Sequence, residues 1–204
     1  MVDALNSSLR RVPAWALYAA SPVPVIWIFY LGLNGQLGVD PAKVIEHDLG
    51  LWSLWLIIAG LAVTPLRRFA GVNLLKFRRA IGVITFFYLL AHLLTWLVLD
   101  VQFQNVWADI LKRWYITVGM AAFVLVLPLA LTSNDWSVRK LGSAAWRKLH
   151  VLVYPIAILG ALHFLLLVKG FQWEPILYAL AISGLLATRI RWSNLVTRVN
   201  LARG

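Results

Sequence analysis

Six runs of apolar residues, each close to the length of a bilayer crossing, decide what this chain can fold into. They cover roughly 14–33, 49–66, 80–99, 115–131, 149–168 and 173–190 of its 204 residues. A hydrocarbon core ~30 Å thick needs about 20 apolar residues in a helix. Within lipid the backbone must pair its own N–H and C=O groups, and a helix does this locally. The expected fold class is therefore all-α: a polytopic six-transmembrane-helix bundle, with residues 1–204 forming a single transmembrane domain. Pro22 and Pro24 interrupt the first run, and Pro155 lies in the first turns of the fifth. Membrane helices tolerate such prolines when neighbours satisfy the freed carbonyls. Trp52, Trp114, Tyr115 and Trp173 lie near run ends, where amphipathic rings favour the headgroup level.

Composition agrees with this reading. The chain is 61% hydrophobic and 13% charged, against about half and a quarter in soluble domains. Its formal charge of +11 does not imply a nucleic-acid partner, because the basic residues fall in short clusters between apolar runs. There is no cysteine, which excludes disulfides, cysteine-held iron–sulfur clusters and haem attached through C-x-x-C-H. Arg10 and Arg11 before an apolar run resemble a signal peptide. The run is long and lacks a small-x-small cleavage pattern, so an uncleaved first span is expected. The spaced glycines of LGLNGQLG do not follow a strand, and they read as a turn rather than a dinucleotide fingerprint.

Orientation follows from where lysine and arginine lie. Fifteen fall on the side holding Arg10, Arg67, Arg78, Arg139, Arg147 and Arg189; four (Lys43, Lys112, Arg113 and Lys169) fall on the other. Six of the eight acidic residues lie on that second side. The basic side is expected to be cytoplasmic, with both termini inside.

Three histidines lie in or at the ends of the spans. An ionisable residue within a membrane helix is costly and points to a functional site. The third and fifth runs point the same way, so their depths compare directly. His92 lies 14 residues beyond Arg78 and His163 lies 15 beyond Lys148, or ~21 and ~22 Å along a helix. Two imidazoles at matched depth suit the axial positions of one b-type haem in the outer half of the bilayer. The plainer alternative is that each imidazole bonds a neighbouring helix. A histidine-lined metal transporter would want carboxylates at that depth, and none lies mid-membrane. Gly160, one turn before His163, leaves room for the porphyrin. His150 lies at the inner end of the fifth run, level with Arg78 and Arg79. Thirteen residues separate it from His163, ~140° round an ideal helix, so the two need not share a face. His47, beside Glu46 and Asp48, is expected in an exposed outer loop.

One histidine in the third span and two, thirteen apart, in the fifth form a recurring pattern. With TPLRRF at 64–69, RRAIG at 78–82, LAHLLTW at 90–96, RKLG at 139–142, WRKLHVLVYPIAIL at 146–159 and LHFLLLVK at 162–169, the chain resembles the ferric-reductase-like transmembrane family. It is most similar there to bacterial members that serve a periplasmic, molybdopterin-containing methionine sulfoxide reductase. The resemblance implies an inner-membrane electron-transfer subunit holding haem b and FMN. Electrons would come from the quinone pool or a cytoplasmic flavin reductase and leave to the partner, which reduces methionine sulfoxide in oxidised proteins. His92 and His163 are then the axial ligands. His150, Arg78, Arg79 and Arg147 line an inner cofactor site for a flavin phosphate, with a second haem at His150 as the alternative. Family members that oxidise nicotinamide cofactors append a flavin domain, and no such length follows the last run here. A quinol-linked transmembrane reductase of ferric or other metal ions is the alternative within the family.

Overall fold

Prolines and polar caps, more than the edges of the apolar runs, set where the helices begin. The computed structural model describes residues 1–101, 103–104 and 106–189, and these form helices and turns with no strand among them. A short α1 (Val2–Arg11) precedes α2 (Trp15–Ala20) and α3 (Pro22–Leu33), which together make one crossing of 19 residues. Pro22 opens α3, where its missing N–H costs least. It leaves the Tyr18 carbonyl without a helical donor, and the Ser21 hydroxyl donates to that carbonyl at 3.0 Å.

The second crossing, α4 (Pro41–Phe69), starts two turns before its apolar run. Asp40 caps it by accepting from the Lys43 N–H at 3.2 Å, and Pro41 suits the first turn. His47 is therefore helical rather than in a loop. Next comes α5 (Arg78–Thr95), entered by a 3-10 turn (Leu75–Phe77) and continued by a π turn (Trp96–Asp100). Outside the bundle lie α6 (Val106–Lys112) and, at the opposite end, α8 (Asp135–Leu141), on either side of α7 (Trp114–Leu131). The fifth crossing is α9 (Ser143–Leu149), a 3-10 turn (His150–Leu152) and α10 (Val153–Leu167). The tighter winding of that turn changes the angle between His150 and His163 from the value for an unbroken helix.

Among the described residues, five helices are thus long and apolar enough to cross a membrane. The sixth expected span is α11 (Trp173–Ala187), whose 15 residues reach ~22 Å, short of a full hydrocarbon core. Its expected end at Ile190, the basic residues Arg191, Arg198 and Arg203, and the C-terminal side all lie outside the described residues.

The main core joins α4, α7, α10 and α11 through Leu54, Ile57, Leu61, Val126, Ile156, Ala157, Ala161, Phe164 and Ile182. Ala157 and Ala161, one turn apart, let α10 approach its neighbours closely, as small residues do in membrane bundles. Ile28, Ile45 and Leu49 pack α3 on α4, and Ala80, Ile84 and Tyr88 pack α5 against α2 and α3. Pro65 inside α4 leaves the Leu61 carbonyl unpaired in the helix, and the Arg189 guanidinium donates to it at 2.6 Å. Arg189 therefore ties the end of α11 to α4, beyond any part in orientation. At the same end Asn6 of α1 clasps the turn after α4, donating to the Gly71 carbonyl at 3.0 Å and accepting from the Asn73 N–H at 2.9 Å.

Candidate functional site

The structure brings His92 of α5 and His163 of α10 together. Their ring centroids lie 6.2 Å apart with the ring planes at 84°. Each ring is held by the backbone of a third helix. Nδ1 of His92 lies 2.8 Å from the Glu46 carbonyl oxygen on α4, and Nδ1 of His163 lies 2.6 Å from that of Tyr115 on α7. A carbonyl oxygen only accepts, so each Nδ1 carries the hydrogen. Each Nε2 is then left as a lone-pair donor, the form in which neutral imidazole binds a metal. An imidazole nitrogen sits ~2 Å from a first-row metal ion, so two rings sharing one ion have centroids ~6 Å apart. The observed separation matches that spacing.

Both rings line one cavity. Leu51, Leu54, Ile57, Leu89, Met120, Phe123 and Ile156 form an apolar wall suited to a porphyrin face. Trp96 also lines it, and its buried Nε1–H has no partner among the described residues. Buried polar groups are nearly always paired, so this donor is available to an acceptor on a group bound in the cavity. Gly50 and Gly119 lie directly against the His92 and His163 rings. Gly160 borders the cavity but faces Leu54, 3.7 Å from where its Cβ would stand, so its space lies toward α4. These features fit a haem held through His92 and His163.

At the cavity mouth the exposed His47 lies edge-on to Phe164, ring centroids 6.0 Å apart, with Nδ1 3.5 Å from Asp48. Among the described residues no group of three or more His, Cys, Asp or Glu side chains is placed to hold a metal ion.

His150 does not line this cavity. It stacks on Trp146 at 3.8 Å and its Nδ1 donates to the Trp146 carbonyl at 3.0 Å. Its Nε2 is buried and has no partner among the described residues. Trp146 is anchored by its own Nε1–H, which donates to the Thr132 carbonyl at 2.8 Å. Arg78, Arg79 and Arg147 are exposed at the same, basic end. Arg79 pairs with Asp135 of α8 at 2.7 Å, and this hydrogen bond holds the Asp135 carboxyl below the usual carboxylate range.

Sequence reasoning found the paired imidazoles and missed what holds them. The carbonyls of Glu46 and Tyr115 carry no side-chain signal. The available signal was a glycine inside an apolar run, Gly50 in the second and Gly119 in the fourth, since glycine in a strand or helix marks close approach.

The ferric reductase like transmembrane component family matches residues 49–161, more than half the chain, including α5 with His92 and the turn bearing His150. Among curated proteins, the protein-methionine-sulfoxide reductase heme-binding subunits MsrQ of Brucella ovis and Brucella canis are each 50% identical over 187 residues, covering 90% of this chain and 84% of the relative. No solved structure shows a significant match to the chain.

Proposed function

Since the chain belongs to the ferric-reductase-like transmembrane family, we propose that it is the haem-binding, electron-transferring membrane subunit of a protein-methionine-sulfoxide reductase system. The observation that carries this reading is the pair of imidazoles 6.2 Å apart, each with Nδ1 bound to a backbone carbonyl. His92 and His163 would hold haem b as its axial ligands, and the haem, when bound, supplies reversible one-electron chemistry. The chain's own contribution is positional and electrostatic. The carbonyls of Glu46 and Tyr115 fix each tautomer and ring orientation and raise the basicity of Nε2. The apolar wall excludes water and lowers the local dielectric, two levers on the potential of a bound haem.

The rest of the reading concerns the two ends. At the end bearing the cavity mouth the partner would be a periplasmic, molybdopterin-containing methionine sulfoxide reductase, on which the catalytic reduction takes place. At the basic end electrons would enter from the quinone pool or a cytoplasmic flavin reductase. FMN would bind there, its phosphate held by charge-assisted bonds from Arg78 and Arg147. Arg79 would join them by exchanging Asp135 for phosphate. The membrane would be the bacterial inner membrane, crossed six times with both termini in the cytoplasm.

The test is reoxidation. Purified protein reduced with dithionite should show a b-type reduced spectrum. It should return to the oxidised spectrum when the partner enzyme and methionine sulfoxide are both added, and not with either alone. A spectrum that stays reduced in the presence of both would refute the proposed role.

A further inference from the structure

We propose that Gly50 and Gly119 are positioning residues for the two imidazoles, one device used twice. The inference rests on the reading that His92 and His163 hold the haem. On α4 the carbonyl that receives His92 belongs to Glu46, and Gly50 is four residues on. On α7 the carbonyl that receives His163 belongs to Tyr115, and Gly119 is again four residues on. In an α-helix the carbonyl of residue i already accepts from the N–H of residue i+4. It keeps a second lone pair for another donor. Side chains tilt toward the helix N-terminus, so the residue at i+4 overhangs the turn bearing that carbonyl. A side chain there stands in the path of a ring arriving from a neighbouring helix.

The distances bear this out. A Cβ on Gly119 would lie 2.7 Å from Nδ1 and 3.0 Å from Cε1 of His163. A Cβ on Gly50 would lie 3.0 Å from Cε1 and 3.2 Å from Nδ1 of His92. The Gly119 contact is closer than a Cβ comes to any non-bonded atom, and the Gly50 contact is tighter than nearly all such contacts. In each case relief requires the ring to retreat from its carbonyl, by less at Gly50. By contrast, a Cβ on Gly82 of α5 or Gly184 of α11 would meet nothing within 4 Å. The two glycines under the rings thus expose the carbonyls that set each tautomer and aim each Nε2.

Alanine at either site lengthens the Nδ1–H···O=C bond. The ring becomes a poorer electron donor to ferric iron, so haem affinity falls and the reduction potential rises. Loss of such an outer contact typically costs 10- to 100-fold in metal affinity. Gly119→Ala, with the tighter contact, should be the more severe.

The test uses full-length protein purified with its haem. It measures haem per chain, the midpoint potential and the low-temperature EPR spectrum, which reports the angle between axial imidazole planes. Gly119→Ala should lose haem by about tenfold or more on dilution, raise the midpoint of what remains and change the EPR signal. Gly50→Ala should shift the same quantities less, and Gly82→Ala should match the wild type. If Gly119→Ala does not accumulate in the membrane, Gly50→Ala alone decides the matter. Wild-type potential and EPR in the glycine variants, with haem lost in His163→Ala, would overturn the proposal and leave the haem reading standing. A wild-type spectrum in His163→Ala would overturn that reading, and the proposal with it.

Discussion

Replacing Trp96 with Phe separates the cost of an unpaired donor from the gain of filling the cavity. Trp96 is 6% exposed, lines the cavity and has an indole N–H with no partner among the described residues. A buried donor left unpaired costs about 1–3 kcal/mol. In the haem-free protein Trp96→Phe removes that cost but buries a smaller ring, and because the lost packing offsets the gain, stability should change little. If the donor pairs with a charged acceptor on the bound haem, that hydrogen bond contributes about 1.5–3 kcal/mol. At 1.4 kcal/mol per factor of ten, losing it weakens haem binding by about 10- to 100-fold. The assay is haem transfer to excess apomyoglobin, with thermal unfolding of the haem-free variant in parallel. Loss of haem at the wild-type rate would show that the indole N–H makes no bond to the bound group.

Three further outcomes are expected. A reporter in the Asp100–Arg113 loop should be active only outside and one after Gly204 only in the cytoplasm. Activity of the second on the outside would mean that α11 does not cross, and reversal of both would overturn the orientation. Changing Arg78 and Arg79 together to Gln should lower flavin content severalfold while leaving the haem spectrum intact, and unchanged flavin with correct orientation would refute their cofactor role. Because Arg79 holds the Asp135 pKa down, their pairing is complete above the unfolded aspartate value of ~4 and is lost as pH falls through the lower folded value. Arg79→Gln should move the Asp135 titration upward, as followed by NMR, and an unmoved titration would contradict the ion pair.

What was legible in the sequence was what repeats at the scale of a helix. Run lengths point to six crossings, of which five are helices long and apolar enough among the described residues. Residue counts from Arg78 and Lys148 put His92 and His163 level with each other, and the structure brings their rings together. What was not legible depends on backbone. The carbonyls of Glu46 and Tyr115 look like those of any other residue until a neighbouring helix delivers an imidazole to them. The start of α4 was missed because Asp40 and Pro41 extend the helix past its apolar run, which places His47 at the cavity mouth. Arg189 read as an orientation charge, yet it answers the carbonyl that Pro65, 124 positions earlier, leaves free. Arg79 read as a phosphate ligand, and its pairing with Asp135 on α8 could not be seen without the fold.

The most direct measurement is the optical spectrum and haem content of His92→Ala and His163→Ala beside His47→Ala. On the proposed reading His92 and His163 would each hold the haem iron, so either variant should lose the haem or convert it from the six-coordinate low-spin form. His47 is exposed at the mouth, and His47→Ala should keep the wild-type spectrum. Wild-type spectrum and haem content in both His92→Ala and His163→Ala would contradict the account.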